Sequence, residues 1–290
     1  SLRLPVGADV LKPLQKLLSH PDFERARFVI EMLGRMPGAE AARGLVGVLA
    51  DTKDKRRAEL AAASLAEARA EGTTAAPGSS PIRDEAVPAL AKALLEASDT
   101  DRAWLLRAVV RPSAKKIPAA ARRELLETAC RRLSSGQTPW EPLLAAARDA
   151  DAQAAAQALR DVAVRLRKAQ PDKAAVVLRV LCHGEGGTDD DRYTLAAVEL
   201  ARGTRDTRAA ARAGDESLRM FGALLGRGVD VATHLKKDRS LDLSHLYYVG
   251  FHFAEQGDPV GEELLKTVVE KGGRAKIAKM ARSKLALVDA

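Results

Sequence analysis

The feature that most constrains this chain is a helical period that hardly lapses from one end to the other. Almost every segment longer than about ten residues sets apolar side chains at i, i+3, i+4 and i+7, the spacing that lines one face of an α-helix. Leu11, Leu14, Leu17 and Leu18 do so first; Phe28, Val29, Met32 and Leu33 follow, then Leu45, Val48 and Leu49, then Leu60, Ala61, Ser64 and Leu65. No segment alternates with the period of two that marks a half-buried strand. The breaks are short and carry turn chemistry: HPD at 20–22, MPG at 36–38, GQTP at 136–139, QPD at 170–172, QGDP at 256–259 and KGG at 271–273. Helices joined by so few residues fold back as antiparallel neighbours. The expected fold is all-α, a right-handed α-solenoid of antiparallel hairpins with about sixteen helices.

Composition agrees with that reading and narrows the setting. The apolar share is 46% but the aromatic share only 3%, so the core is built from small side chains, which suits closely packed helices better than a β-sandwich. The polar stretch SSGQTPW (134–140) is the expected seam, dividing residues 1–135 from 136–290, and EGTTAAPGSSPIRD (71–84) reads as a surface insertion. No run approaches the roughly 20 apolar residues of a membrane span, so no membrane insertion is expected. The opening SLRLPVGADV lacks the charged and apolar regions of a signal peptide. It also lacks a Met, which suggests a longer natural polypeptide. Cys130 and Cys182 make neither a framework nor a CxxC pair, so a reducing, cytoplasmic location is expected. Abundant Ala and Arg suggest a GC-rich bacterial genome.

The first half repeats a template. In 14–33, 45–65 and 90–109 an apolar helix ends near a Leu pair, a polar turn with Asp follows, and an Arg opens the next amphipathic helix. This Asp-x-x-Arg element at the hairpin turn resembles HEAT repeats over roughly residues 10–135. In the second half, HLYYVGFHFAEQGDPVGEELLKTVVEKG (245–272) resembles a tetratricopeptide (TPR) repeat. Leu246, Val249, Gly250 and Phe253 match that family's first-helix packing positions, and Gly261, Leu265 and Val268 match the second helix once one residue is inserted. Gly250 then stands where two helices cross closely.

One stretch invites a chemical reading: LCHGEGGTDDDRY, residues 181–193. Cys182 and His183 are adjacent on a helix, so their side chains diverge by about 100° and cannot act as nucleophile and base on one another. Three consecutive aspartates lack the alternating spacing of a calcium loop, and GEGG lacks the GK[ST] of a phosphate-binding loop. The stretch reads as a helix join, with Gly184 closing one helix, Thr188 capping the next, and Asp191 as the reciprocal acid of a capping box. Elsewhere there is no GxSxG, HExxH or CxxC. His245 and His252 lie two turns apart on a helix, about 10 Å, too far for one ion. No catalytic residue, cofactor or metal is expected, and the chain is not read as an enzyme.

Binding is the expected role: a protein–protein interaction scaffold or adaptor holding a peptide or protein on a concave surface. The TPR resemblance implies that Ser244, Tyr247, Phe251 and Ala254 point into the groove. Tyr247 and Phe251 are the expected aromatic contacts. The last helix, AKIAKMARSKLALV (275–288), sets Ile277, Met280, Ala281, Leu285 and Val288 as its buried stripe, with Lys276, Lys279 and Arg282 along the opposite flank. The end of the chain concentrates the formal charge of +8: Lys271, Arg274, Lys276, Lys279, Arg282 and Lys284 stand against a single acid, Asp289. These cations form the polar face of a capping helix or contact an acidic partner. The alternative is a nucleic-acid-binding solenoid using basic surface residues. ARRELLETACRRL (121–133) argues against a long nucleic-acid track, because its arginines surround the helix, Arg123 and Arg132 on opposite flanks and Arg131 straight out.

Overall fold

The computed structural model describes residues 13, 14, 16–18, 20–66, 81–184, 186–203 and 208–288. The start of the chain, most of the insertion at 71–84, the side chain of Val288 and Asp289 lie outside the described residues. Among those described the fold is all-α, with one isolated β-bridge between Ala66 and Ile82. The chain divides into two compact units, residues 1–158 and 159–290.

The first unit contains α1 (Phe23–Arg35), α2 (Ala39–Asp51), α3 (Lys55–Leu65), α4 (Val87–Glu96), α5 (Thr100–Val110), α6 (Ala119–Ser135) and α7 (Glu141–Ala150), with short 3-10 turns at Asp84–Ala86 and Arg111–Lys116. Helices pack on their sequence neighbours and on the next but one: α1 with α2 and α3, α2 with α4, α4 with α5 and α6, α7 with α5 and α6. The apolar period predicts this core. Ile30, Leu33, Leu45, Leu49, Leu90 and Leu106 are all shut off from solvent, each contributing about 1.5–3 kcal/mol by leaving water. The division between the units falls inside α8 (Ala152–Ala169), later than the seam at 135/136 read from polarity. The reason is that α7 packs against α5 and α6 and so belongs with the first unit.

The repeated Asp-x-x-Arg element has a physical role here. Asp22, Asp54 and Asp99 are N-caps, accepting from the backbone amides of Glu24, Arg56 and Arg102. Arg57 and Arg102 of this element reach back to carbonyls earlier in the chain, and Arg132, outside the element, joins them while also bonding forward to Pro139. Arg57 donates to the carbonyls of His20 (2.7 Å) and Pro21 (3.1 Å), and Arg102 to that of Leu49 (2.8 Å). Arg132 donates to the carbonyls of Leu95 (3.2 Å), Ala97 (3.3 Å) and Pro139 (2.9 Å). Carbonyls in the last turn of a helix have no intrahelical partner and carry the negative end of its dipole, so a guanidinium is their natural donor. Arg132 is therefore no surface charge: it is half-buried and turned inward, because three carbonyls converge on it. Arg25, first of the series, pairs with its own cap Asp22 at the surface.

The second unit continues from α8 through α9 (Pro171–Cys182), α10 (Asp189–Gly203), α11 (Arg208–Leu225), α12 (Val231–Lys237), α13 (Leu243–Glu255), α14 (Pro259–Gly272) and α15 (Lys276–Val288). Its core gathers Phe221, Val249, Phe253, Leu264, Leu265 and Val268. The α13–α14 hairpin closes on two glycines. A Cβ on Gly250 would lie 3.0 Å from that of Leu264, and one on Gly261 only 2.0 Å from the backbone nitrogen of Ala254. Arginine–carboxylate pairs link the helices: Arg160–Asp191 (2.8 Å), Arg167–Asp238 (2.6 Å), Arg179–Glu199 (2.7 Å) and Arg202–Asp172 (2.7 Å). Glu199 is completely buried. Burial raises its pKa, against the opposing pull of Arg179 and Arg202.

Candidate functional site

The 181–193 stretch is a helix join. Thr188 Oγ1 accepts from the amide of Asp191, while the amide and hydroxyl of Thr188 both donate to Asp191 Oδ2 at 2.9 Å, the reciprocal capping box. The three aspartates part company. Asp191 is buried against Arg160, Asp189 pairs with Arg192 and Arg227, and Asp190 faces solvent near His234. Burial, with Asp191 nearby, pushes the Cys182 thiol up to about 11, the reverse of what a nucleophile needs. Among the described residues no group of three His, Cys, Asp or Glu side chains is placed to hold a metal.

The aromatic cluster on α13 is where the structure offers a binding surface. Leu246, Val249 and Phe253 are buried, which leaves Tyr247, Tyr248, Phe251 and His252 on the remaining arc. Tyr247 and Phe251 do share a face, with ring centroids 5.9 Å apart. Their surroundings differ. Tyr247 is half-buried against the core of the second unit. Phe251 is half-buried too, but it lines a groove of about 520 Å³ between α11 and α13. On its other side Lys284 Nζ lies 4.3 Å from the ring centroid and 3.0 Å from Glu255 Oε1.

Tyr248, a residue the helical wheel does not select, lines the same groove, as does the buried Phe253, and is 39% exposed. Its ring extends across α11, where a Cβ on Gly214 would come 3.0 Å from its hydroxyl. Burial and the nearby Asp215 raise its pKa. Asp215 and Arg219 from α11 and His252 and Gln256 from α13 supply polar groups along the same groove. Of the other positions matched to a concave face, Ser244 is exposed and Ala254 is buried. An aromatic wall with scattered donors and acceptors can hold a chain by packing and hydrogen bonds.

The last helix departs from its expected wheel. Lys276, Lys279 and Arg282 are exposed as read, but so is Met280, at 41%. Ala278 and Ala281 take the fully buried positions, with Ile277 and Leu285 half-buried beside them. The small alanines let α15 approach α14 closely and roll Met280 outward. Arg282 turns aside, donating to the carbonyl of Gly273 at 2.6 Å, just past the end of α14. Among the described residues no helix is long and apolar enough to cross a membrane. No known protein-family model matches the chain, and no curated protein matches it.

Proposed function

We propose that this chain is a non-catalytic interaction module of helical repeats, HEAT-like in its first half and TPR-like in its second, that holds a peptide or a protein segment. Support for the repeat reading is the recurring cap-and-arginine device of the first unit and the close glycine crossing of α13 on α14. The observation that carries the binding role is the groove between α11 and α13, where Phe251 and the exposed Tyr248 meet polar groups on both walls. Aromatics held rigid in a groove are the usual anchors of a bound chain. A protein partner is favoured over nucleic acid because Arg57, Arg102 and Arg132 are spent on backbone carbonyls. Two cysteines, Cys130 and Cys182, that make no CxxC pair suit a cytoplasmic setting.

Selection of a displayed random-peptide library on the wild-type protein, with counter-selection on Tyr248→Ala/Phe251→Ala, tests this. Enriched peptides should lose about tenfold or more in affinity for the double variant, the cost expected of removing two aromatic anchors. Peptides that bind both proteins equally, or no enrichment at all, would reject the groove.

A further inference from the structure

We infer a second docking surface, independent of the groove: the outward face of α15, which takes an acidic segment of a partner protein bearing apolar side chains among its carboxylates. One arc of that helix carries Lys276, Lys279, Met280, Ser283 and Leu287, all exposed, with Leu287 at 74%. Lys271 and Arg274 precede it, also exposed. Among the described residues, no acid pairs with Lys271, Arg274, Lys276 or Lys279. Of the nearby carboxylates, Glu255 pairs with Lys284, Glu262 with Lys266 and Glu263 with Lys236, while Glu270 stands exposed on the α14 side.

Helix stability does not account for these cations. Arg274, Lys276 and Lys279 gather at the start of α15, the positive end of its dipole, where added positive charge is unfavourable. The two preceding helices instead begin on acids, Asp242 and Asp258. Solubility alone would not set Met280 and Leu287 in the same arc. Beside the arc runs a shallow cleft of about 350 Å³ between α14 and α15, walled by Val269, Leu285 and Ala286 together with Lys266, Arg282 and one acid, Glu270. The cations fit carboxylates, and the two exposed apolar chains and the cleft fit apolar side chains between them. A phosphate backbone would satisfy the lysines but leave Met280 and Leu287 in water, and this face offers no aromatic for base stacking.

The test is fluorescence anisotropy at about 100 mM salt. The probe is a labelled helical peptide with a leucine stripe on a glutamate background. Matched peptides carry Gln for Glu, or Ser for Leu; duplex DNA and phosphatidylglycerol vesicles complete the set. The acidic leucine peptide should bind saturably and weaken about tenfold with Lys276→Glu/Lys279→Glu and about threefold with Met280→Ser/Leu287→Ser. These positions are exposed, so circular dichroism should report unchanged folding. Tyr248→Ala alone, which spares the contact of Phe251 with Lys284 of α15, should leave this binding intact, and this separates failure here from failure of the groove. Absent binding, equal binding of the Gln peptide, insensitivity to both α15 variants, or tighter capture of DNA or vesicles through the same lysines would each overturn the inference.

Discussion

The two units use the same side chain, arginine, to tie helix to helix, and they aim it at different acceptors. In the first unit Arg57, Arg83, Arg102 and Arg132 donate to backbone carbonyls at helix ends. In the second, Arg160, Arg167, Arg179 and Arg202 meet Asp191, Asp238, Glu199 and Asp172. A carbonyl cannot titrate and depends only on where the preceding helix ends, so the same device can recur at every hairpin. A carboxylate gives a stronger, charge-assisted bond, but each pair must be placed individually and each responds to pH. The first unit is held by a repeated rule and the second by particular pairs. The contrast has exceptions on both sides: Arg107 meets Asp149 at 2.7 Å in the first unit, and in the second Arg282 donates to the carbonyl of Gly273 and Arg160 to that of Gly186 as well as to Asp191.

Several substitutions would break or sharpen this contrast. The largest effect belongs to Gly261→Leu, whose Cβ alone would land 2.0 Å from a backbone nitrogen. It should destabilise the second unit by more than about 3 kcal/mol, read as loss of its transition in urea. Glu199→Ala should cost about 2–3 kcal/mol in the same measurement, because two arginines lose a buried partner. Arg102→Ala should cost the first unit about 1.5–2 kcal/mol, and Arg102→Ala/Asp99→Ala somewhat more than the single change, since cap and donor act on different helix ends.

Acid should separate the units further. Asp191 and Asp238 are held below the ordinary carboxylate range: burial pushes their pKa up, but hydrogen bonds from Arg160 and Thr188, and from Ser240 and Arg167, prevail. A carboxyl lowered in the folded state contributes stability that is complete above its unfolded pKa, about 4, and is lost as pH falls through the folded value. Hydrogen exchange followed by mass spectrometry between about pH 5 and pH 2 should show 159–288 losing protection before the first unit. Asp238→Asn should flatten that dependence. Glu199 has the opposite sign, its contribution declining as pH rises through its raised value. The smallest effect expected is Gly47→Ala in α2, where an added Cβ meets nothing within 4 Å. It should raise the stability of the first unit by about 0.5–1 kcal/mol.

The helices and their joins were legible because the apolar period and the cap residues are local signals, as was the Thr188–Asp191 box. Gly250 was legible through its resemblance to a packing position, and the tighter Gly261 sits at the matched place on the facing helix. What escaped depended on neighbours far along the chain. Nothing within 121–133 says that three carbonyls wait for Arg132. The choice of Ala278 over Met280 as a buried residue of α15 is made by the closeness of α14. Tyr248 rather than Tyr247 lines the groove because α11 passes on that side, with Gly214 leaving room for its ring. The division between units falls inside an unbroken helix, α8, where no break in the sequence marks it.

The join between α9 and α10 has one more consequence, through Cys182. Burial pushes its thiol up to about 11, so little thiolate forms at neutral pH. Gly187 lies so close over Cys182 that a Cβ there would come within 2.9 Å of the cysteine Cα. Alkylation of Cys182 should therefore be slow, and faster wherever the join opens. Cys130, buried in α6, sits in the first unit. Each half of the chain thus carries one native thiol, and the two labelling rates, measured in a single tube, time the local openings of the two units separately.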